Sequence, residues 1–238
     1  MIFGSILAGG MGKRVIGIDQ PKQFACLNGL PVIMYSIHTM LEIKQIDEII
    51  IAVHPDWMKY MSDLLQTYLK LEQIKRIKMI SGGKERLDSF FNVIRFILEK
   101  KDLSDDDIII CHEAARPFAS KKMFEDCIEL TLRDKISATF LPVNDTIFVK
   151  DGCGSIISSE ERTNRMLGQT PSCFNIKFLL EVYEQTSEEE KKSATSTTQL
   201  FLAKGFSIPI VNGSTENIKI TTRADIMLAE AYLNRKGE

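Results

Sequence analysis

The sequence predicts an α/β protein built around a mainly parallel β-sheet. Short runs of β-branched residues alternate with amphipathic stretches along most of its 238 residues, which is the pattern of parallel strands joined by crossover helices. The runs are apolar and bounded by polar residues, as expected for strands buried on both faces. We predict strands at residues 2–7, 48–53, 77–80, 107–111 and 137–142.

The segments between these runs have helical periodicity. Residues 32–41 and 87–98 place apolar side chains three and four positions apart, so each helix presents one apolar stripe to a sheet. The aromatic residues and methionines of these stripes are expected to form the core. Further helices are predicted at residues 176–185 and 223–234, with a strand at residues 207–211 between them.

The pattern changes after Thr146. Apolar residues at 147–149 and 156–157 flank the turn sequence Asp151-Gly152, which predicts two short strands joined by a turn. We expect this hairpin to project from the main sheet as a β-arm at about residues 143–165. Because the sequence has no internal repeat and no linker rich in Pro, Ser or Gly, residues 1–238 are predicted to form a single domain.

Composition and charge exclude several classes of protein. Hydrophobic residues make up 44% of the chain and charged residues 26%, which is typical of a globular protein and not of a disordered one. The net charge of −2 provides no field that would hold a nucleic acid. Because no apolar run approaches the ~20 residues of a membrane span, we expect a cytoplasmic protein that binds neither nucleic acid nor a membrane.

The cysteines and histidines form no recognisable metal-binding pattern. The five cysteines are odd in number and none stands in a C-x-x-C pair, so reduced, structural thiols are expected. His38 and His54 have no clustered ligand partners, so the sequence gives no support for a zinc site. His112 is expected to be packed or hydrogen-bonded and not to act as a catalyst.

A glycine-rich segment follows the first predicted strand and reads Leu7-Ala8-Gly9-Gly10-Met11-Gly12-Lys13-Arg14. Glycines allow close approach of the backbone, so successive N–H groups can hold phosphate oxygens while Arg14 adds a forked donor. An ordinary tight turn is the alternative interpretation. The segment is not a P-loop, which needs Gly at position 7 and Ser or Thr at position 14, and it lacks the third glycine of a dinucleotide fingerprint.

A second basic residue lies at the far end of the same polar loop, in Pro21-Lys22-Gln23-Phe24. A single exposed lysine is usually only a solvated charge. We predict that Lys22 and Arg14 converge, so that two positive charges act on one phosphate group.

These segments resemble the signature of nucleoside-triphosphate transferases that join a sugar or polyol phosphate to a nucleotide. The likeness is strongest to the CTP-dependent cytidylyltransferases of 2-C-methyl-D-erythritol 4-phosphate and of ribitol 5-phosphate, and it runs from residue 6 to about residue 233. It implies a Rossmann-like, glycosyltransferase-A-like nucleotidyltransferase fold with three layers, a mainly parallel mixed sheet and a projecting β-arm. The other matching segments are Gly82-Gly83 with Arg86 and Ser89, residues 112–118, Asp145-Thr146, Arg162, Gln169-Thr170-Pro171 and residues 217–221.

The resemblance also implies roles for individual residues. Arg14, Lys22 and Lys219 would be catalytic, because they would hold the triphosphate and the charge that develops at the α-phosphorus. The residues implied to bind CTP are Leu7, Ala8, Gly9, Gly10, Gly82, Gly83, Ser89 and Glu113. Those implied to bind the acceptor are Arg116, Thr146, Arg162 and Thr195.

Glu113 departs from the family, which usually has Asp at this position, where the side chain helps to hold Mg²⁺ and the ligand. Either carboxylate is a hard oxygen donor suited to Mg²⁺, but the extra methylene extends the reach by roughly 1.5 Å. The resemblance therefore predicts Mg²⁺ as the cofactor with Glu113 as its candidate ligand. A purely structural hydrogen bond is the alternative for Glu113, and pairing with Glu113 is the alternative for Arg116.

In the family the arm reaches the partner subunit, which implies a homodimer in which Arg162 serves the neighbouring chain; pairing of Arg162 with Glu160 or Glu161 is the alternative.

A second departure from the family lies at Thr195-Ser196, where relatives commonly have an acid in place of Ser196. We expect the enzyme to transfer a cytidylyl group from CTP to D-ribitol 5-phosphate, giving CDP-ribitol and pyrophosphate for a cell wall or capsule. The alternative acceptor is 2-C-methyl-D-erythritol 4-phosphate, of isoprenoid synthesis.

Two other classes of protein share parts of this sequence pattern. A CTP-binding protein without turnover would fit the departures at Glu113 and Ser196, although it would have no need of the catalytic cations. A Rossmann-type dehydrogenase would need the missing third glycine and an acidic residue after the second strand, for which His54-Pro55-Asp56 is a poor substitute.

Overall fold

The structure is a computed structural model that describes residues 1–10 and 20–236. Its strands are β1 (Ile2–Ala8), β2 (Cys26–Leu27), β3 (Leu30–Pro31), β4 (Glu48–Val53), β5 (Ile77–Ser81), β6 (Ile108–Glu113), β7 (Ile136–Pro142), β8 (Ile147–Lys150), β9 (Ile156–Glu160), β10 (Met166–Asn175) and β11 (Ile210–Asn212). Its helices are α1 (Val32–Leu41), α2 (Met58–Tyr68), α3 (Leu71–Lys75), α4 (Arg86–Lys100), α5 (Lys121–Asp134), α6 (Ile176–Gln185), α7 (Glu188–Ser193), α8 (Thr197–Ala203) and α9 (Arg223–Lys236).

Seven strands of the described residues form one mixed sheet in the order β11-β7-β10-β6-β1-β4-β5. The neighbours β6, β1, β4 and β5 are parallel, and so are β11 and β7. Only β10 among these strands runs antiparallel to its neighbours, β6 and β7. The predicted α/β class with a mainly parallel sheet is therefore confirmed.

The three-layer arrangement follows from the two-residue period of the buried strands. In β4, Ile49 and Ile51 point to the core that contains α1, α2 and α5, while Ile50 points to the core that contains α4, α6 and α8. Ile109 and Ile110 of β6 divide between the same two cores. Successive side chains of a strand face opposite sides, so a continuous apolar run is what a sheet covered on both faces requires.

Most predicted elements agree with the structure to within one or two residues, and β4 and α6 have the predicted bounds. The predicted strand at 207–211 is wrong in extent, because pairing with β7 covers only Ile210–Asn212. Pro209 just before it has no N–H to donate to a ladder. The sequence does not predict strand β10, since Gly168 and Pro171 interrupt its apolar pattern and the pairing with β7 shifts register between Gly168 and Ser172.

The predicted β-arm is present as an antiparallel hairpin of β8 and β9. Its turn includes Gly154 at a φ of +95°, a conformation that residues with a Cβ rarely adopt. Phe148, Ile156 and Ile157 are 58–63% exposed on this hairpin. The arm thus presents apolar side chains that the described part of its own chain leaves largely uncovered.

None of the helices among residues 1–10 and 20–236 is long and apolar enough to cross a membrane.

Candidate active site

The carboxyl ends of β1, β5 and β6 lie along one edge of the sheet and border a cavity of about 300 Å³. In a parallel sheet, the loops beyond these ends come from separate βα units and converge there. Residues 7–10 after β1, residues 83–89 after β5 and residues 113–115 at the end of β6 form the walls. Lys22, Gln23 and Lys219 complete the lining of this first cavity.

The loops after β1 and β5 approach each other too closely to leave room for side chains. A Cβ at Gly9 would lie 3.0 Å from Ser89 Oγ, one at Gly82 would lie 3.2 Å from Gly9 Cα, and one at Gly83 would lie 2.3 Å from Asp88 Cβ. Ser89 is buried, and its Oγ accepts a hydrogen bond from Gly83 N–H at 3.0 Å. The structure therefore brings together Gly9, Gly82, Gly83 and Ser89, which the resemblance implies bind CTP, in a wall made largely of main chain. Their role in binding stays a prediction.

Gln23 fixes the start of the glycine-rich loop. Its side chain is 3% exposed, and its Nε2 donates to Ala8 O at 2.7 Å and to Gly10 O at 3.0 Å. The 3₁₀ turn that contains Lys22 and Gln23 ends at Phe24, which is fully buried. Lys22 is thus carried on an anchored turn, while Arg14 lies outside the described residues and its convergence with Lys22 stays a prediction.

A cluster of three cations surrounds one carboxylate at the end of β6. Glu113 Oε1 lies 3.1 Å from Arg86 Nε and 2.9 Å from Lys219 Nζ, and Glu113 Oε2 lies 3.2 Å from Arg116 Nε. The Glu113 side chain is only 13% exposed. Arg116 therefore pairs with Glu113, as the alternative interpretation foresaw, but it also lines a second cavity.

The charges of this cluster control the ionisation of Glu113. Burial alone would raise the pKa of Glu113, but Arg86, Lys219 and Arg116 outweigh it and lower the pKa to about 2. The carboxylate is therefore ionised at neutral pH. Three positive charges against one negative charge leave an excess of two positive charges in the cluster, which attracts anionic groups such as phosphates.

His112 is a structural residue, as expected. It is fully buried, and burial lowers its pKa to about 4, so that the ring is neutral at pH 7. Its Nε2 lies 3.1 Å from Ser36 Oγ and 3.1 Å from Arg116 O, and its Nδ1 lies 3.1 Å from Thr170 Oγ1. Both ring nitrogens are occupied within the protein.

A second cavity, of about 380 Å³, lies on the other side of the charged cluster. Arg86, Glu113 and Lys219 line both cavities. The remaining wall of the second cavity comes from β7, β10 and the region of α8, and includes Arg116 and Thr195. Two spaces therefore meet over the same group of charges.

The α8 side of the second cavity carries neutral hydroxyl groups. Gln199 Oε1 accepts from Thr195 N–H at 2.6 Å, from Thr195 Oγ1 at 3.1 Å and from Ser196 N–H at 3.1 Å. Ser196 Oγ lies 2.8 Å from Thr198 Oγ1. These residues leave the α8 side of the second cavity uncharged.

Two predicted acceptor-binding residues, Thr146 and Arg162, do not line either cavity of their own chain. Both are exposed at the base of the arm. The predicted alternative of an ion pair with Glu160 or Glu161 is wrong. Glu160 pairs with Arg165 at 2.7 Å, the Arg162 guanidinium donates to Asn144 O, and the described residues show no ion pair between Arg162 and Glu161.

Several residues that shape the site were not assigned a role from the sequence. Arg86, Gln23 and Thr170 belong to the matching segments, but their partners lie far away along the chain. Thr170 Oγ1, for example, accepts from Glu113 N–H at 3.2 Å across 57 positions. The only sequence signal for them was their place within those segments.

Glu113 fits a Mg²⁺ site in which substrate phosphates supply the other ligands. Within residues 1–10 and 20–236, no group of three or more His, Cys, Asp or Glu side chains is placed to hold a metal ion. Mg²⁺ in nucleotide enzymes is commonly held by one or two carboxylates together with substrate phosphates. A single hard carboxylate beside a cationic cavity fits that requirement.

The sequence matches one protein family along almost its whole length. Residues 2–235 match the family IspD, 2-C-methyl-D-erythritol 4-phosphate cytidylyltransferase. The chain belongs to this family. It is accordingly a CTP-dependent cytidylyltransferase that acts on a polyol phosphate.

Solved structures of the IspD family share the fold. The 4-diphosphocytidyl-2C-methyl-D-erythritol synthase of Anaerococcus prevotii is 29% identical, with 98% of this chain and 96% of that chain covered and a TM-score of 0.79. The 2-C-methyl-D-erythritol 4-phosphate cytidylyltransferase of Francisella tularensis is 24% identical, with coverages of 97% and 98% and a TM-score of 0.78. That of Thermus thermophilus is 23% identical, with coverages of 98% and 100% and a TM-score of 0.70.

The paired state of Glu113 predicts a specific acid sensitivity. Because its pKa in the folded chain, about 2, lies below its ordinary value of 4.5, the unfolded chain takes up this proton first as the pH falls. The stabilisation is complete above about pH 5 and lost towards pH 2, and amounts to at most about 3 kcal/mol. In urea unfolding at pH 6, 4 and 3, we expect wild type to lose about 1 kcal/mol by pH 4 and about 2 kcal/mol by pH 3 relative to Glu113→Gln.

Glu129→Gln is the matched control, because Glu129 is exposed on α5 and is expected to leave the pH profile of wild type unchanged. If Glu113→Gln and wild type lose stability in parallel as the pH falls, the cluster does not hold Glu113 ionised.

Proposed function

We propose that this enzyme transfers the cytidylyl group of CTP to 2-C-methyl-D-erythritol 4-phosphate and releases pyrophosphate, as a step of isoprenoid synthesis. An oxygen of the acceptor phosphate forms a bond to the α-phosphorus of CTP while the bond to pyrophosphate breaks. The observation that carries the proposal is the junction of two cavities over Arg86, Glu113 and Lys219. That arrangement suits two phosphate-bearing substrates whose phosphates must meet.

In this proposal the first cavity takes CTP. Its main-chain wall at Gly9, Gly83 and Ser89 receives the base and ribose, and Lys22 and Lys219 hold the triphosphate together with Arg14. A phosphate monoester dianion is already nucleophilic, so the protein supplies alignment and charge stabilisation and needs no general base. The uncharged, hydrogen-bonded His112 is consistent with a reaction that needs no general base.

We propose Glu113 as the protein ligand of a Mg²⁺ ion that CTP brings to the site. Bound Mg²⁺ would offset negative charge on the triphosphate. Arg86, Arg116 and Lys219, which now pair with Glu113, are the cations that substrate phosphates would draw away from it.

The second cavity is proposed to take the acceptor. Thr195, Ser196 and Thr198 present hydroxyl groups that can exchange hydrogen bonds with a polyol. Phe140 and Leu202 add apolar surface to the same cavity, which suits the methyl branch of 2-C-methyl-D-erythritol 4-phosphate. The proposed substrates are polyanions that do not cross membranes unaided, so we place the enzyme in the cytoplasm where CTP is made.

Ribitol 5-phosphate, the acceptor expected from the sequence, is kept as a second candidate. The IspD family and the Anaerococcus prevotii enzyme are named for 2-C-methyl-D-erythritol substrates instead, which supports 2-C-methyl-D-erythritol 4-phosphate as the acceptor. The observation that favours ribitol phosphate is the neutral, hydroxyl-bearing wall around Ser196. An unbranched polyol with several hydroxyl groups also suits such a wall.

A pyrophosphate-release assay with CTP and Mg²⁺ separates the two acceptors. We expect kcat/KM for 2-C-methyl-D-erythritol 4-phosphate to exceed that for ribitol 5-phosphate by at least about tenfold, since one methyl group in an apolar contact is worth about that factor. A preference for ribitol 5-phosphate would overturn the acceptor assignment. Binding of CTP without release for any polyol phosphate would overturn the proposed reaction.

The proposed charge stabilisation predicts the effect of removing Lys22. Lys22→Ala is expected to lower kcat by about 10²- to 10³-fold, which is typical of deleting one preorganised charge stabiliser, while CTP affinity falls less. Arg14→Ala is expected to act in the same way. Lys122→Ala, which removes an exposed lysine of α5, is the control, and near-normal turnover of Lys22→Ala would contradict the assignment.

We also propose that residues 1–238 form one domain whose arm, at about 143–165, pairs with a second copy of the chain. The exposed apolar residues of the arm support this, and the position of Arg162 outside both cavities of its own chain suits a role in the partner's acceptor site. In such an arrangement, residues from two subunits form each site.

Co-expression of two inactive variants tests whether Arg162 acts in the site of the partner subunit. In a dimer of Arg162→Ala and Lys219→Ala subunits, one site receives both intact residues only if Arg162 acts across the interface. We expect random pairing to restore roughly a quarter of wild-type turnover. No recovery in dimers confirmed by sedimentation would mean that Arg162 serves its own chain.

A further inference from the structure

Two buried amide side chains join strand β10 to the loop that carries Lys219. Asn217 is fully buried, and its Nδ2 donates to Thr170 O at 2.9 Å and to Gln169 Oε1 at 3.1 Å. Gln169 in turn donates through Nε2 to Ser214 O at 2.8 Å and accepts from Ser214 N–H at 3.2 Å. The loop is therefore tied to β10 at two points before it reaches Lys219.

The fit between this loop and Gln169 is tight. A Cβ at Gly213 would lie 2.6 Å from Gln169 Oε1 and 2.9 Å from Phe140 O, so only glycine allows the loop to start so close to the sheet. On its other side, Asn217 O accepts from Arg116 Nη1 at 2.8 Å, and Ile220 N–H donates to Ala115 O at 2.8 Å. These contacts bracket Lys219 on both sides.

Thr170 relates this loop to the other end of the Lys219–Glu113 ion pair. The carbonyl of Thr170 accepts from Asn217, two residues before Lys219, and its hydroxyl accepts from the N–H of Glu113 at 3.2 Å. One residue of β10 therefore sets the backbone positions of both partners in a 2.9 Å ion pair. Within this chain of hydrogen bonds, Asn217 is the residue that lies on the loop carrying Lys219.

We propose that Asn217 is a positioning residue for the reaction: through its bonds to Thr170 and Gln169, it holds the Lys219 ammonium at the junction of the two cavities. A lysine side chain has four flexible carbons, so its placement depends on a fixed backbone. Misplacement of a reacting or charge-stabilising group by about 1 Å can cost about 10²-fold in rate. The inference rests on the role of Lys219 in the proposed function.

A double-mutant cycle tests whether Asn217 acts through Lys219. We expect Asn217→Ala to lower kcat by about 10- to 100-fold with a smaller change in KM for CTP. In the Lys219→Ala background, the same substitution is expected to lower kcat less than about threefold, because a residue that acts through Lys219 has nothing left to position.

Asn175→Ala is the matched control. Asn175 is also a buried asparagine, but it caps α6 at the opposite end of β10, where its Oδ1 accepts from Phe178 N–H at 3.0 Å. It is expected to lower the melting temperature without lowering kcat. If Asn217→Ala does not fold, Gln169→Met takes its place in the same cycle. This substitution removes the hydrogen bonds of Gln169 to Asn217 and Ser214 and keeps a side chain of similar length.

The outcomes separate this inference from the proposed function. If the losses from Asn217→Ala and Lys219→Ala multiply, Asn217 does not act through Lys219 and the inference fails while the site assignment stands. If Lys219→Ala itself keeps near-normal kcat, the proposed role of Lys219 fails. A kcat loss of equal size in Asn175→Ala would attribute the effect to lost stability and would also overturn the inference.

Discussion

The burial of Glu113 among Arg86, Arg116 and Lys219 is the interaction on which the rest of the site depends. These three cations come from the start of α4, the residues after β6 and the loop before α9, and they would repel one another without a negative charge between them. Glu113 holds them together, and their combined field keeps it ionised. The fold thus gathers charge from segments that no local rule would bring together.

This arrangement also accounts for how one site can serve two anionic substrates. The cluster has one carboxylate to three cations, so it remains attractive to phosphate even while it is internally paired. Because three of its members face both cavities, charge brought in on one side is felt on the other. A reaction between two phosphate groups requires such a shared environment, since the groups would otherwise repel each other.

The fold was predictable from the sequence where information is local. A run such as Ile49-Ile50-Ile51 predicts a strand covered on both faces, and the glycine-rich segment after β1 predicted a close approach of the backbone, which the structure shows at Gly9. Strand β10 could not be predicted in this way, since Gly168 and Pro171 break its pattern and its identity comes from its neighbours. Likewise, the partners Arg116 and Asn217 are 101 positions apart, and Glu113 and Lys219 are 106 apart, so only the fold reveals them.

The close approach of Gly9, Gly82 and Ser89 has a consequence for how this enzyme can evolve. This part of the wall cannot be re-shaped by adding side chains, because a Cβ at Gly9, Gly82 or Gly83 would lie 3.2 Å or less from a neighbouring atom. If this wall receives the base as proposed, an altered preference for a nucleobase requires insertions or deletions that move whole loops. In the proposed binding mode, the acceptor instead contacts side-chain hydroxyls at Thr195, Ser196 and Thr198. Single substitutions can replace these groups, so proteins built on this scaffold are expected to diversify in the acceptor before they change their nucleotide.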